Sequence, residues 1–441
     1  MRRFGIVLFT VVLLLAGTSL FAAPAVKELS ILWAQWDPAD YLQQLCKEYE
    51  AATGIKVNVI QEPWSSFADR FSVAMAAKGS EWDMVVGDSQ WLGTGATSGQ
   101  YLELTKFMND NKLVSSVTAA TLKYYGEYPA NSKKYWAFPT EGDALGFAYR
   151  TDLFNDANEK AAFKAKYGYA LAVPKTWKQF YDAAEFFTRP EKGLYGCAIY
   201  TQKDYDAITM GVETVLFSYG VNWQDEKNRV LGVVNSNRAV EAVKMYHDLY
   251  QNFSPPGLSN AFFPEMNDAF TSGKAAMIMN YFAFLPALGN KGTNPNYYDK
   301  VGYFVNPAGP YGDRFASLGG QGMSVIAYVS KERQQASLDF IKWFAQDKAQ
   351  QRWAELGGYT CNVKALKSDA FLKGQPYNPA FAETMTFVKD FWNIPVYGPL
   401  LQSAQKYFGK YIVEGVGTAK EAMDGMAKEQ DQILRENGFI K

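Results

Sequence analysis

Aromatic rings and carboxylates keep company in this chain. Trp33 and Trp36 precede Asp37, Glu62 precedes Trp64, Asp88 comes three residues before Trp91, and Glu141 and Asp143 flank a glycine. Aromatic faces stack on the C–H surfaces of a ligand, and ionised carboxylates accept charge-assisted hydrogen bonds from hydroxyl groups. Together these residue types suit the reversible capture of a sugar or polyol; the competing role for each Trp is to cap a sheet end by packing. Patterns that would make bonds are missing: there is no GxxxxGK[ST], HExxH or GxSxG, and no calcium-loop pattern. The stretch 93–99 approaches GxGxxG, but its third glycine is one place late. The single histidine, His247, excludes zinc sites built from two or three imidazoles and is read as a surface or packing residue on a helix. No cofactor and no metal site is expected. Acids are plentiful enough that a two-carboxylate glycoside hydrolase stays open, although nothing singles out a pair.

These groups need a scaffold that gathers them. Residues 29–34, 55–60 and 82–87 have the length and apolar content of strands, while 37–53 and 65–78 carry helical periodicity and stop at Gly54 and Gly79. Such alternation predicts right-handed crossovers and a mostly parallel sheet. In open parallel sheets ligands bind beyond the carboxyl ends of the strands, which is where Trp33, Trp36, Asp37, Glu62, Trp64, Asp88 and Trp91 fall. A second region of the same kind follows: strand, turn and strand over 135–149, helix over 177–187, strand over 195–200, helices over 236–251 and 264–272, and a strand over 275–279. A long amphipathic helix is expected over 340–356. A last helix opens at Thr418, where Glu421 completes a capping box.

The chain has 441 residues, enough for two or three domain-sized units, and 48% of them are hydrophobic, which excludes wholesale disorder. Forty-four basic residues against 45 acidic ones leave no basic surplus for nucleic acid. Arg2 and Arg3, an apolar run over 6–16 and the small residues Ala22, Ala23 and Ala25 predict a cleaved signal peptide over 1–25. No cysteine comes directly after Leu15-Ala16-Gly17, so no lipid anchor is expected, and the mature chain reads as a soluble periplasmic monomer. Cys46, Cys197 and Cys361 are too far apart for a metal or redox motif. Buried free thiols are expected, with one long-range disulfide as the alternative.

Five short motifs, in order, carry a resemblance. They are Trp82 to Asp88, Tyr135 to Pro139 with Gly146 to Phe154, Val173 to Trp177, Phe270 to Met277, and Gly319 to Gly322 followed by 336–344. The chain resembles the extracellular solute-binding proteins of bacterial ABC importers, in the large carbohydrate-binding group that includes the maltodextrin-binding proteins. Arg150 stands where that family usually has Asn. The resemblance implies an α/β fold of two lobes, two mostly parallel sheets flanked by helices, joined by a hinge of two to three crossing segments. Crossings are expected near 141–143, 280–282 and 330, giving one lobe of 26–142 and 282–330 and another of 143–281 and 331–441. It further implies ligand contacts from Asp143 above all, then Glu141, from Asn280 and Tyr281 at the second crossing, and from Gly320 and Gln321, with Gly319, through backbone N–H groups and an amide. In the second lobe it implies Tyr205 and Asp206, in a loop with Tyr200 and Asp204. Its partners would be a neutral sugar or polyol and the transmembrane subunits of an ABC permease. Two rivals remain within two-lobed proteins: an iron-binding protein using Tyr124-Tyr125 or Tyr297-Tyr298, and an amino-acid or peptide receptor, which would want an Arg on the ligand carboxylate.

Overall fold

A computed structural model describes residues 26–203 and 205–441; the expected signal peptide and Asp204 lie outside them. The strands are β1 (Glu28–Ala34), β2 (Lys56–Glu62), β3 (Met84–Asp88), β4 (Phe138–Glu141), β5 (Leu145–Arg150), β6 (Tyr195–Ala198), β7 (Ala275–Tyr281), β8 (Val301–Phe304), β9 (Ala316–Ser317), β10 (Gln321–Val325) and β11 (Val388–Lys389). They form a five-stranded sheet ordered β2-β1-β3-β10-β4, a four-stranded sheet ordered β6-β7-β5-β8, and a small pair β11-β9.

The first sheet begins as the sequence predicts. Leu29, Ile31, Leu32 and Trp33 are all fully buried, so β1 reads as an apolar run because both its faces are covered. The helix Asp37–Thr53 follows with Pro38 in its first turn and Asp37 and Asp40 beside its positive end. Gly54, at φ 75°, ends it in the left-handed conformation and returns its N–H to Glu50 O at 2.7 Å. The helix Lys331–Phe344 is pinned to the same sheet by Arg333, whose Nε and Nη2 donate to Asp83 Oδ1 and Oδ2 at 2.6 and 2.7 Å. Asp83 is fully buried and also accepts the Ser30 N–H at 2.8 Å.

Both sheets are more mixed than expected. β1, β2 and β3 are parallel, but β10 runs antiparallel to β3 and to β4. In the second sheet β6 and β7 are parallel, whereas β5 is antiparallel to both β7 and β8. The antiparallel members enter after long excursions of the chain, beyond the reach of local βαβ logic.

Strand pairing also redraws the expected lobes. The chain crosses between the sheets at 142–144, but after β7 it stays with the second sheet. β8, inside the segment 282–330 assigned to the first lobe, pairs with β5. The crossing falls instead at 318–320, between β9 and β10. The helices Lys331–Phe344 and Asp347–Leu356, assigned to the second lobe, contact β1 and the helix Asp37–Thr53 of the first. The chain then returns, and Tyr397–Phe408 and Ala419–Glu436 pack beside Ala207–Ser218 and Asn237–Phe253 of the second. β8 is a four-residue, half-buried strand with little periodicity to read.

The single helix expected over 340–356 is two, broken at Gln346, whose backbone is extended (φ −67°, ψ 142°). The break turns Trp353 into the core, where its ring lies 6.3 Å from that of Trp33. The capping box at Thr418 is present, with Thr418 N–H donating to Glu421 Oε2 at 2.8 Å. Cys46, Cys197 and Cys361 are buried free thiols. His247 stacks on Tyr411 at 4.5 Å on the helix Asn237–Phe253. Arg150 is buried; it makes a bidentate pair with Asp152 at 2.7 and 2.5 Å and lies 3.6 Å above the Tyr297 ring. Among the described residues no helix is long and apolar enough to cross a membrane.

Candidate functional site

The two sheets present their ends to one another across a cleft. β1 and β2 deliver Trp36 and Trp64, β3 delivers Asp88 and then Ser89 and Gln90, and the crossings deliver Asp143, Gly319 and Gly320. From the second sheet come Tyr205 and Asp206 after β6 and Tyr281 at the end of β7, and from the small pair β11-β9 come Asp390 and Phe391 after β11. Phe262, Phe263, Phe284, Met210 and Leu318 complete an apolar wall. The free volume is about 40 Å³, room for a few waters and too little for a six-carbon polyol. Beyond Trp36, Trp64 and the stacked pair Phe263–Phe284 (3.9 Å apart) lies an outer groove of about 450 Å³.

Because the cleft is closed down, its polar groups bond to one another across it. The Tyr205 hydroxyl donates to Asp88 Oδ2. Gln90 Nε2 donates to Asp88 Oδ2 at 3.5 Å and to Asp206 Oδ2 at 3.3 Å, bridging the two lobes with one amide. The rings make a similar chain: Trp33 meets Trp36 edge-on at 5.7 Å, Trp36 meets Trp64 at 5.3 Å, and Trp64 meets Tyr205 at 5.5 Å. Tyr205 itself holds φ 52°, a left-handed backbone uncommon for a residue with a side chain, and its carbonyl accepts from Gln405 Nε2.

The acids have no basic partners. Among the described residues, no Lys, Arg or His lines the cavity or the outer groove. Burial pushes the Asp88 carboxyl up to about 6, with the Tyr205 and Gln321 hydrogen bonds working the other way. Burial likewise pushes Asp390 up to about 7. Asp206 is raised well above the usual range by burial and by the charge of Asp88, and Glu213, behind it, by burial and the charge of Asp390. Among the side chains that line the cavity, two carboxylate oxygens find no hydrogen-bond partner, Oδ1 of Asp206 and Oδ2 of Asp390, and neither does the Trp36 indole N–H.

The anticipated residues divide. Trp36, Trp64, Asp88, Asp143, Tyr205, Asp206, Tyr281 and Gly320 meet in the cavity. Trp33 is fully buried behind it, and its indole N–H donates to Gln321 Oε1. Gln321 in turn donates to Asp88 Oδ1, so these two orient Asp88 from behind. Asp37 faces the outer groove. Glu62 turns to Arg70 at 3.6 Å, and Trp91 stacks on Phe71 at 5.0 Å. Glu141 is buried behind the cavity wall, accepting the Tyr359 N–H at 3.4 Å. Asn280 is consumed by Tyr200, whose hydroxyl donates to it at 2.6 Å, and by Asn267.

Two roles differ from expectation. The N–H groups of Gly319 and Gly320 are already given, to Asp143 O at 2.9 Å and to the Tyr125 hydroxyl. Gly320 is glycine because a Cβ there would run into the Glu141 carbonyl and the Tyr125 ring. Asp143 spends Oδ1 on the Ala144 and Ala283 N–H groups at 2.8 and 3.2 Å, so it holds a crossing as well as facing the cavity. Sequence reasoning missed Asp390. It follows a strand and precedes Phe391 and Trp392, the pattern used elsewhere, but β11 is two residues long and carries no period.

Residues 35–351 match the family described as bacterial extracellular solute-binding protein. A probable ABC transporter-binding protein of Deinococcus radiodurans is 27% identical over 76% of this chain and 76% of its own length. A probable amino-acid ABC transporter periplasmic-binding protein of Sinorhizobium fredii is 24% identical over 73% of this chain and 68% of its own. Among solved structures, an ABC transporter solute-binding protein from Agrobacterium radiobacter in complex with ribitol superposes with a TM-score of 0.78 at 21% identity, covering 92% of this chain and 99% of that one.

Proposed function

The chain belongs to the bacterial extracellular solute-binding proteins; from that premise we propose that it serves an ABC importer, capturing a sugar or polyol between its two sheets, in the periplasm, and handing it to the importer's membrane subunits. One observation carries the reading. Carboxylates and rings from both lobes meet in a single cavity and reach one another across it.

A polyol entering between Trp64 and Tyr205 would exchange the Tyr205–Asp88 and Gln90–Asp206 contacts for its own hydroxyl groups, which donate to the same oxygens. The lobes must part to admit it and close to bury it, so the bound form is the one in which both lobes touch the ligand. Ribitol in the Agrobacterium structure supports a polyol as the class of solute. The Sinorhizobium relative's name favours an amino acid, but a carboxylate ligand would meet acids with no Lys or Arg beside them.

The test is a melting-temperature and calorimetric screen over sugars, polyols and amino acids. A sugar or polyol should raise the melting temperature, and Trp64→Ala should weaken its binding about tenfold by deleting a stacking face. Binding confined to amino acids, or an unchanged affinity in Trp64→Ala, would overturn the assignment.

A further inference from the structure

A neutral ligand leaves the electrostatics of this cavity unexplained. Asp88, Asp143, Asp206 and Asp390 line it and Glu213 stands behind it, all nine-tenths buried or more, and none makes an ion pair. Buried carboxylates are normally paired, since taking an isolated ion out of water costs several kcal/mol. Five acids without one cation form an arrangement whose missing member is positive. Among the described residues no three acids, histidines or cysteines converge as metal ligands, so the geometry gives no seat for an ion.

The two orphaned oxygens are more specific. Asp206 is 1% exposed and Asp390 7% exposed. Each spends one oxygen on a protein donor, Asp206 on Gln90 Nε2 at 3.3 Å and Asp390 on the Phe391 N–H at 2.8 Å. Each keeps the other without a partner, in side chains that line the cavity. An ammonium has three N–H donors and no acceptor, which matches the two acceptors lacking donors, the Trp36 indole N–H being the lining's one donor without a partner. The surrounding rings of Trp64, Tyr205, Phe262 and Phe391 present the apolar and π surface on which a cation also gains. The outer groove repeats the pattern with Asp37 and Asp268 and no basic residue.

We infer that the captured solute is a polyhydroxylated molecule bearing a protonated amine, an amino sugar or amino polyol, whose ammonium sits between Asp206 and Asp390 while its hydroxyls meet Asp88 and Gln90. This rests on the sugar or polyol reading above and narrows it. Carboxylate-bearing solutes are excluded by the same acids.

The experiment compares matched pairs by calorimetry at pH 7.5: glucitol against 1-amino-1-deoxyglucitol, and glucose against glucosamine, with N-acetylglucosamine as the uncharged amide. The amine should bind at least about tenfold tighter than its hydroxyl or acetylated partner, the scale of a hydrogen bond to a charged group. Asp206→Asn and Asp390→Asn keep the shape and remove the charge, and each should shrink that preference toward unity in a protein whose melting curve shows it folded. Equal or tighter binding of the uncharged members, or a preference unchanged in both variants, overturns the inference and leaves capture of a sugar or polyol standing. Failure of every amine, sugar and polyol, in these pairs and in the wider screen, overturns both.

Discussion

Replacing Asp390 by Asn should stabilise the ligand-free protein at pH 8 and leave it nearly unchanged at pH 4. Asp390 is 7% exposed, with one oxygen on the Phe391 N–H and the other unpartnered. Its carboxyl is raised from 3.8 to about 7, chiefly by burial. A carboxyl that is harder to ionise in the folded chain than in the unfolded one binds more protons when folded, so stability falls as pH rises through that window. The window here runs from about pH 4 to about pH 7. Three pKa units at about 1.4 kcal/mol each amount to about 4 kcal/mol lost by pH 8. The isosteric amide carries no such cost. Urea unfolding of both proteins at pH 4 and pH 8 reads the difference, which includes the relief of Asp206 and Glu213 from the Asp390 charge. A gain of equal size at both pH values would refute the reasoning, and so would a loss at pH 8. The substitution that stabilises the empty protein is also one that should weaken its grip on a cation, an exchange of stability for function.

Tyr205→Phe removes the hydroxyl that donates to Asp88 across the cleft. A bond to a charged group is worth about 1.5–3 kcal/mol, so the ligand-free protein should shift toward an open form, seen as a larger radius of gyration in small-angle scattering; an unchanged radius would count against a closing role. Arg333→Met strips both donors from the fully buried Asp83. It should cost about 3 kcal/mol in chemical denaturation, and a loss below about 1 kcal/mol would mark the pair as a surface contact. Asp143→Ala, which a purely ligand-binding role would leave stable, should lower the melting temperature even without ligand, since it abandons the Ala144 and Ala283 N–H groups at a crossing; an unchanged melting temperature would return Asp143 to ligand binding alone.

Local chemistry made much of this protein readable. The alternation over residues 29–87, the helix stop at Gly54 and the box at Thr418 are short-range features, set by periodicity and backbone conformation within a few residues. The strand-end rule placed Trp36, Trp64 and Asp88 in the cavity because a parallel strand delivers its carboxyl end to one rim whatever the rest of the chain does. The same rule overreached at Trp91, Glu62 and Trp33, since it gives a residue's position along a strand and not the direction of its side chain.

What tertiary structure decided is what depends on partners far away in sequence. The helix Ala207–Ser218 is buried on every side, so it has no amphipathic stripe to betray it, yet it begins where Asp206 enters the cavity. The antiparallel strand β10 and the pair β9–β11 owe their places to partners far off in sequence. That distance is why the second crossing and Asp390 escaped notice. Composition alone said that rings and acids abound and that the net charge is near zero. Only the fold showed that lysines and arginines were spent elsewhere, on pairs such as Arg333–Asp83 and Arg150–Asp152. A balanced total thus hides an unbalanced cavity, because charge acts over a few ångströms in space and the sequence records only its sum.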